Sequence, residues 1–534
     1  MSAVLDLLIV ATSWAHVFLA PYTKVEESFS LHATHDVLMY GVRPDVLPKY
    51  DHFIFPGAVP RTFIGSVLLA WLSNAPIRLA CSLELVRDKF DLQIIVRLVL
   101  ATINAIGFCL LRRTVSRRFG GLTSVLFAFL TCTQFHLPFW MGRTLPNMFA
   151  VFPVNVALSY LVNRAPNSTR PSRYSIHWAI ALLTFTAVVF RSEVVLLLGP
   201  LVLQAVVRRY TTLTNIIKIG LIAGLSSVAL TSAVDSYFWQ QWPLWPELYG
   251  VYFNVVQGKS SEWGVLPFHT YFTSFLPKLL LSALPLSFVG ALSDSRVRAL
   301  LVPAVAYLVL ISGLGHKEWR FIVYIVPLFN IAAARGGAWL TSRRKSSLFG
   351  RLCFLAVSGL LVCNCVTTYL LAMASIANYP GGEVLSKFNE LYASHENVHV
   401  HISNLAAQTG ASLFLQTHMP PYLHCLPHSQ QHWTYNKTEH LSPEALTFTP
   451  AVTHVIAEFD GSTASKHYPA GFSANKWHAT GTVDSFDRWK FNPDLKDSLR
   501  MRDVGALLRP LEMVRSKKLV ILERNIWTDA VQAT

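Results

Sequence analysis

The chain has 534 residues, of which 52% are hydrophobic and only 14% charged, and its mean hydropathy is +0.39. A soluble protein carries about a quarter charged residues, so a soluble enzyme is excluded and a polytopic membrane protein is indicated. Much of the formal charge of +15 lies in short loops beside apolar runs, which topology explains better than a nucleic-acid partner.

Apolar segments suited to spanning fall near 3–20, 92–111, 120–139, 147–163, 176–190, 193–207, 214–234, 274–291, 299–315, 321–340 and 350–375. The first could be a signal peptide, but it lacks a basic n-region and reads as an uncleaved helix. A further run, 62–80, ends at Pro76 and Arg78 and reads as an interfacial segment. With it lying flat, five basic loops fall on one face: Arg112, Arg113, Arg117 and Arg118; Arg164, Arg170 and Arg173; Arg208 and Arg209; Arg296 and Arg298; Arg343, Arg344 and Lys345. The positive-inside rule makes that face cytosolic. Eleven crossings then put the N-terminus in the cytosol and everything after about residue 376 on the far side.

The far side collects the chemistry-bearing residues. Loop 21–63 is long for a connector and holds Glu26, Glu27, His32, His35, Asp36, Asp51, His52 and Arg61. "HLPFWMGRTLPN" carries Arg143. The loop beyond 234 is rich in aromatics, with Trp239, Trp242, Trp245 and Trp263 beside Glu247, Lys259 and Glu262. Next comes "HKEWRF", with His316, Lys317, Glu318 and Arg320, where a Lys–Arg pair runs against the charge bias. A bound anion would explain that violation.

Carboxylates able to remove a proton, cations able to hold phosphate and an aromatic lining suit transfer of a sugar from a lipid phosphate. Plainer readings stand beside this one. Glu26 and Glu27 also fit a solvated juxtamembrane pair, and "HKEWRF" a snorkelling anchor. Arg191 and Glu193 read as a structural pair. His35–Asp36 and Asp51–His52 look like dyads, but sequence neighbours seldom point at one site, and no compact cluster has metal spacing. A transporter or a non-catalytic membrane subunit would carry similar residues, although no repeated halves are evident.

From about 376 the composition turns soluble. "NVHVHISNLAAQTGASLFLQ" reads as a strand and a helix, and "AVTHVIAEF" and "KKLVILER" as strands. Asn436 begins an "NKT" sequon on the far side and Asn167 an "NST" sequon on the cytosolic side. The seven cysteines show no CxxC or zinc spacing; a Cys81–Cys425 bridge is open to the chain but not dictated by it.

"HKEWRF" resembles the HKExRF signature of glycosyltransferase family 22, the dolichyl-phosphate-mannose-dependent mannosyltransferases of the endoplasmic reticulum. "GRTLPNMFA" (142–150) and "FNVVQGKSSEWG" (253–264) extend the resemblance over roughly 1–375. "KVEESF", "ATHD" and "YDHFIFPGAVPRTF" are most similar to the branch of the family that adds the eighth mannose, an α-1,6 residue, to the lipid-linked N-glycan precursor. A sister α-1,2 enzyme, acting on that precursor or on a glycolipid anchor, is the runner-up.

The resemblance implies an all-α polytopic GT-C membrane protein of about eleven transmembrane helices. Residues 1–375 would form the catalytic membrane region, with 21–91 as the first luminal loop, and 376–534 a small luminal α/β domain. It implies dolichyl phosphate mannose as donor, a dolichyl-diphosphate-linked oligosaccharide as acceptor, and no cofactor or metal. The family's acidic pair, Asp-Glu, matches Glu26-Glu27 here. Glu27 keeps its residue type, while Glu26 occupies the place of the Asp that related enzymes use and is slightly favoured as base. His316, Lys317 and Arg320 would hold the donor phosphate. Glu318 would orient Lys317 or Arg320, and Arg61, Arg143, His35, Asp36 and Asp51 are further supporting candidates.

Overall fold

The computed structural model describes residues 2–164, 168, 170–342, 347–426, 433–459, 468–491 and 511–525. The Asn167 sequon and the basic loop at 343–345 lie outside them. The described chain forms two compact units, one from Met1–Phe18, Phe29–Arg78 and Ile94–Tyr369, the other from Leu19–Ser28, Leu79–Gln93 and Leu370–Thr534.

The first unit is helical. Among the described residues, seven helices are long and apolar enough to cross a membrane, and the bent pair Tyr271–Leu280 and Ala283–Ser293 makes an eighth. The chain is thus a multi-pass membrane protein. Each of the eleven apolar segments picked out above is helical, but those at Gly121–Thr133, Pro146–Val162, Arg173–Val189 and Ser192–Val207 are shorter than a full span. Ile64–Ser82, expected to lie flat, is long and apolar enough to cross.

Small residues let these helices close on one another. A Cβ on Gly290 would meet the carbonyl oxygen of Ala332 at 1.9 Å, and one on Gly336 would meet that of Leu286 at 2.3 Å. Helices Ala283–Ser293 and Val326–Ser342 therefore touch backbone to backbone, as packing without a hydrophobic drive requires. Several buried polar groups are paired across the bundle. Gln134 donates to Leu280 O and Asn330 Oδ1, each at 2.9 Å, and Asn330 returns a 2.7 Å bond. Arg97, fully buried, donates to Gly142 O at 2.9 Å and anchors the turn that carries Arg143.

At the opposite end of the first helix, Asp6 takes 2.8 Å bonds from both Arg112 and Arg113. Part of the first basic loop is thereby neutralised inside the fold. The ion pair also satisfies a buried guanidinium that would otherwise be costly.

The second unit carries a five-stranded sheet: β1 His399–Ile402, β2 Thr434–Asn436, β3 His454–Glu458, β4 Trp477–Phe491 and β5 Leu511–Arg524, in the order β2-β1-β3-β5-β4. β1 is parallel to β2 and β3, whereas β5 is antiparallel to β3 and β4. Strand alternation divides β5 between two cores. Leu519 and Ile521 join Val384, Leu385 and Phe388 of the helix Pro380–Leu391, while Val520 and Leu522 face Trp477 and Val455. Burying each such side chain stabilises the fold by about 1.5–3 kcal/mol. The strands expected at 398–402, 451–459 and 517–524 are present. β2 and β4 are additions, the apolar positions of β4 being obscured by three register shifts. Cys81 and Cys425 are joined in a disulfide, their Cα atoms 5.7 Å apart.

Candidate active site

The long loop after the first helix contains the helix Val25–Tyr40, with Glu26 and Glu27 in its first turn. Carboxylates suit that end, where unpaired N–H groups and the helix dipole favour negative charge. Their surroundings differ. Glu27 is 2% exposed, and its Oε1 accepts the backbone N–H of Lys24 at 3.1 Å, closing the first turn. Glu26 is exposed. Lys24 lies over the Tyr379 ring, 5.0 Å from its centroid.

Further along the same helix His32 bonds Asp51 at 2.9 Å, His35 bonds Asp36 at 2.9 Å, and Asp36 also accepts the Asp51 N–H at 2.8 Å. The neighbours His35 and Asp36 do meet. The geometry makes them a brace that fastens the Asp51–Phe53 turn to the helix. His52 turns away to Phe238 O at 3.1 Å, and burial depresses its pKa. Among the described residues no group of three or more His, Cys, Asp and Glu stands at metal-binding spacing.

The "HKEWRF" motif links the helix Ser295–Ser312 to the 3₁₀ turn Trp319–Ile325. Glu318 is its hub. It takes a 3.0 Å bond from His316 and a 2.8 Å bond from Arg320. Lys317, 4% exposed, donates to Leu266 O at 3.0 Å and to Leu314 O. Desolvation lowers its pKa. Of the two partners expected for Glu318, Arg320 takes it and the backbone takes Lys317. Trp319 stacks on Trp140, fixing the motif against the helix His136–Met141.

Arg320 belongs to a cluster of charged groups within the same unit. Arg61 is only half-buried by surface area yet lies deep among protein atoms. That burial, followed by repulsion from Arg191 and Arg320, lowers its pKa to about 10 against the pull of Glu247 and Glu318. Glu193 accepts from Arg191 at 2.8 Å, from Asn147 at 3.0 Å and from Tyr324 at 3.2 Å. Glu247 accepts the Ser192 N–H at 2.7 Å. Burial raises the Glu247 carboxyl to about 7, although Arg191 opposes the shift. Burial would lower Arg191, but Glu193 and Glu247 outweigh it and hold the guanidinium above its ordinary value. Three cations and three carboxyls thus form one cluster, where low dielectric magnifies each interaction.

Sequence reasoning gave Arg191 and Glu193 to structure alone and did not weigh Asn147 or Tyr324. A usable signal was present. Arg191 and Glu193 interrupt two apolar segments, and Asn147 belongs to a motif already singled out. Arg143, 1% exposed, has its guanidinium over the Phe139 ring, 4.2 Å from the centroid. The tryptophans also divide. Trp239 donates to Arg61 O at 3.0 Å and Trp245 to Val188 O at 2.9 Å, whereas Trp242 and Trp263 are 71% and 62% exposed.

The chain is 38% identical over 454 residues to the Drosophila melanogaster "Dol-P-Man:Man(7)GlcNAc(2)-PP-Dol alpha-1,6-mannosyltransferase", covering 85% of this chain and 63% of that protein's length. The Arabidopsis thaliana protein of the same name is 34% identical over 445 residues, 83% of this chain and 84% of the relative. Among solved structures, apo ArnT from Cupriavidus metallidurans matches 76% of this chain and 83% of its own at 13% identity, with a TM-score of 0.49, too loose a likeness to fix a shared fold. The family model for Alg9-like mannosyltransferases spans residues 5–424, and the chain belongs to the Alg9-like mannosyltransferase family.

Proposed function

We propose that this protein transfers mannose from dolichyl phosphate mannose to the seven-mannose dolichyl-diphosphate oligosaccharide, forming an α-1,6 linkage at the luminal face of the endoplasmic reticulum membrane. The observation that carries this reading is the sustained identity, over more than four-fifths of the chain, to relatives bearing that enzyme's name. The GT-C fold, eleven crossings and a luminal tail belong to the same reading. They are supported by the eleven helical apolar segments and by the charge of the described loops.

In this mechanism the acceptor's 6-hydroxyl gives its proton to Glu26, and its oxygen forms a bond to C1 of the mannosyl phosphate. The bond from C1 to the phosphate oxygen breaks, and dolichyl phosphate leaves with the electron pair. Attack opposite the leaving group turns a β-mannosyl phosphate into an α-mannoside. The exposure of Glu26 suits a base that must reach substrate, whereas Glu27 is committed to closing its helix turn. Lys317 and Arg320, with His316, stabilise the departing phosphate. Glu318 holds Arg320 and His316 in register. Arg61 and Arg191 extend the positive field, and the exposed Trp242 and Trp263 face the lipid-borne substrates. No divalent cation takes part, because the leaving phosphate is already met by fixed cations.

The test is a profile of lipid-linked oligosaccharides in cells lacking this chain. Accumulation of the seven-mannose intermediate, reversed by the wild type, is the expected result. Accumulation of another intermediate would assign the chain to a sister α-1,2 enzyme, and an unchanged profile would overturn the reading.

A further inference from the structure

The second unit contains a cleft of about 450 Å³ that the mechanism above does not use. That volume is in the range of small-ligand sites. Its walls come from three stretches distant in sequence: Asp88–Phe90, Ser386–Glu390 and Thr417–Tyr422. The Cys81–Cys425 bridge ties the first of these to the third.

The lining is chemically mixed in a telling way. Arg87 and Lys89 are matched in number by Asp88 and Glu390, so the lining carries no excess of formal positive charge that would mark it as a phosphate site. Lys89, 2% exposed, donates to Met419 O and lies 4.9 Å from the centroid of the Tyr422 ring. Burial lowers the His418 pKa, leaving a neutral imidazole that can both donate and accept. Ser386 and Thr417 add hydroxyls, and Phe90 and Tyr422 add ring surface. The C–H face of a sugar ring, slightly positive, seats on the negative face of an aromatic ring, while its hydroxyls need closely spaced donors and acceptors.

We propose that this cleft binds mannose units of the acceptor oligosaccharide that are not themselves reacting, so that the reactive arm is presented from a fixed point. The identity of the glycan rests on the function proposed above; the site itself rests on the cleft. The segment bearing the acidic pair supports the connection. Tyr22, four residues ahead of Glu26, stacks on Phe90 of the cleft wall at 5.2 Å, and Gln93 donates to Pro21 O at 2.8 Å.

The test titrates the full-length chain in detergent with a free oligomannose glycan and follows saturation transfer to the mannose protons by NMR. The wild type is expected to bind. Tyr422→Ala and Glu390→Gln are each expected to weaken binding roughly tenfold, and Gly359→Ala, at a position with room for a methyl group, to leave it intact. Glu390 is exposed, so Glu390→Gln decides the matter even if Tyr422→Ala fails to fold. No saturation transfer in the wild type, or undiminished binding in folded Glu390→Gln, would overturn the proposal. Failure of the functional reading has a different signature: glycan binding persists while cells lacking the chain show an unchanged lipid-linked oligosaccharide profile.

Discussion

Glu27 and Lys24 close the first turn of the helix Val25–Tyr40 on each other, carboxylate to backbone N–H at 3.1 Å, while Glu26 beside them faces out. Two carboxylates adjacent in sequence are thereby given different work. Glu26→Gln is expected to lower kcat by about 10²–10⁴-fold, the range for losing a general base, with thermal stability unchanged. Glu27→Ala should cost roughly 0.5–2 kcal/mol of stability through the lost cap. Parallel kinetics and melting curves separate the two. Equal loss of turnover in Glu27→Gln and Glu26→Gln would remove the distinction.

Arg320 reaches Glu318 at 2.8 Å, and a guanidinium shared between a carboxylate and a phosphate is not replaceable by a point charge. Arg320→Lys is expected to retain folding and lose about 10²–10³-fold in kcat/KM for the donor, comparable to removing one anion-stabilising donor. A change confined to acceptor KM would place Arg320 elsewhere in the reaction.

The Glu247 carboxyl, raised by burial to about 7, makes the charged cluster around Arg191 sensitive to pH near neutrality. Below that value it is largely protonated and neutral. Above it, its negative charge repels the donor phosphate, which stays anionic throughout. Donor affinity should therefore fall as pH rises through about 7. Glu247→Gln should flatten the profile of donor KM against pH. Linkage gives a second sign: the folded chain holds an extra proton between the ordinary value of 4.5 and about 7, so this group's contribution to stability declines as pH rises across that window.

Gly290 has no room for a methyl group, with Ala332 O 1.9 Å from where its Cβ would stand. Gly290→Ala is expected to destabilise the bundle by roughly 1–3 kcal/mol or more through overpacking, read as a lowered melting temperature in detergent. Gly359, whose Cβ position is open, should accept alanine without loss and serves as the control.

The Cys81–Cys425 bridge joins positions 344 residues apart. Its removal by Cys425→Ser should cost about 2–5 kcal/mol, measurable as earlier unfolding that reducing agent reproduces in the wild type and does not deepen in the variant.

The apolar segments were legible because a twenty-residue hydrophobic run has few other uses. All eleven are helical, although 120–139 divides into Gly121–Thr133 and His136–Met141 and 274–291 is bent by 99° at a break. β1, β3 and β5 were legible from short runs of branched residues, but β4 was not, because its bulges break the two-residue period. "HKEWRF" announced itself by charge in an apolar setting. The neighbouring polar cluster did not, since Glu193, Asn147 and Tyr324 come from three separate segments and meet only through tertiary contacts. Local spacing also misled. His35 and Asp36 do bond each other despite adjacency. For Glu318 the two partners left open by the sequence reduce to Arg320, with Lys317 held by backbone carbonyls.

The central claim is that one donor headgroup is held by cations from the "HKEWRF" loop while a carboxylate from the first-loop helix meets the incoming alcohol. A cryo-EM structure of the Glu26→Gln chain with dolichyl phosphate mannose bound tests it most directly. The account predicts phosphate oxygens within hydrogen-bonding distance of Lys317 and Arg320, and the residue 26 carboxamide facing C1 from the side opposite the phosphate. A donor phosphate seated away from Lys317 and Arg320, or residue 26 on the other side of the bilayer, would contradict it.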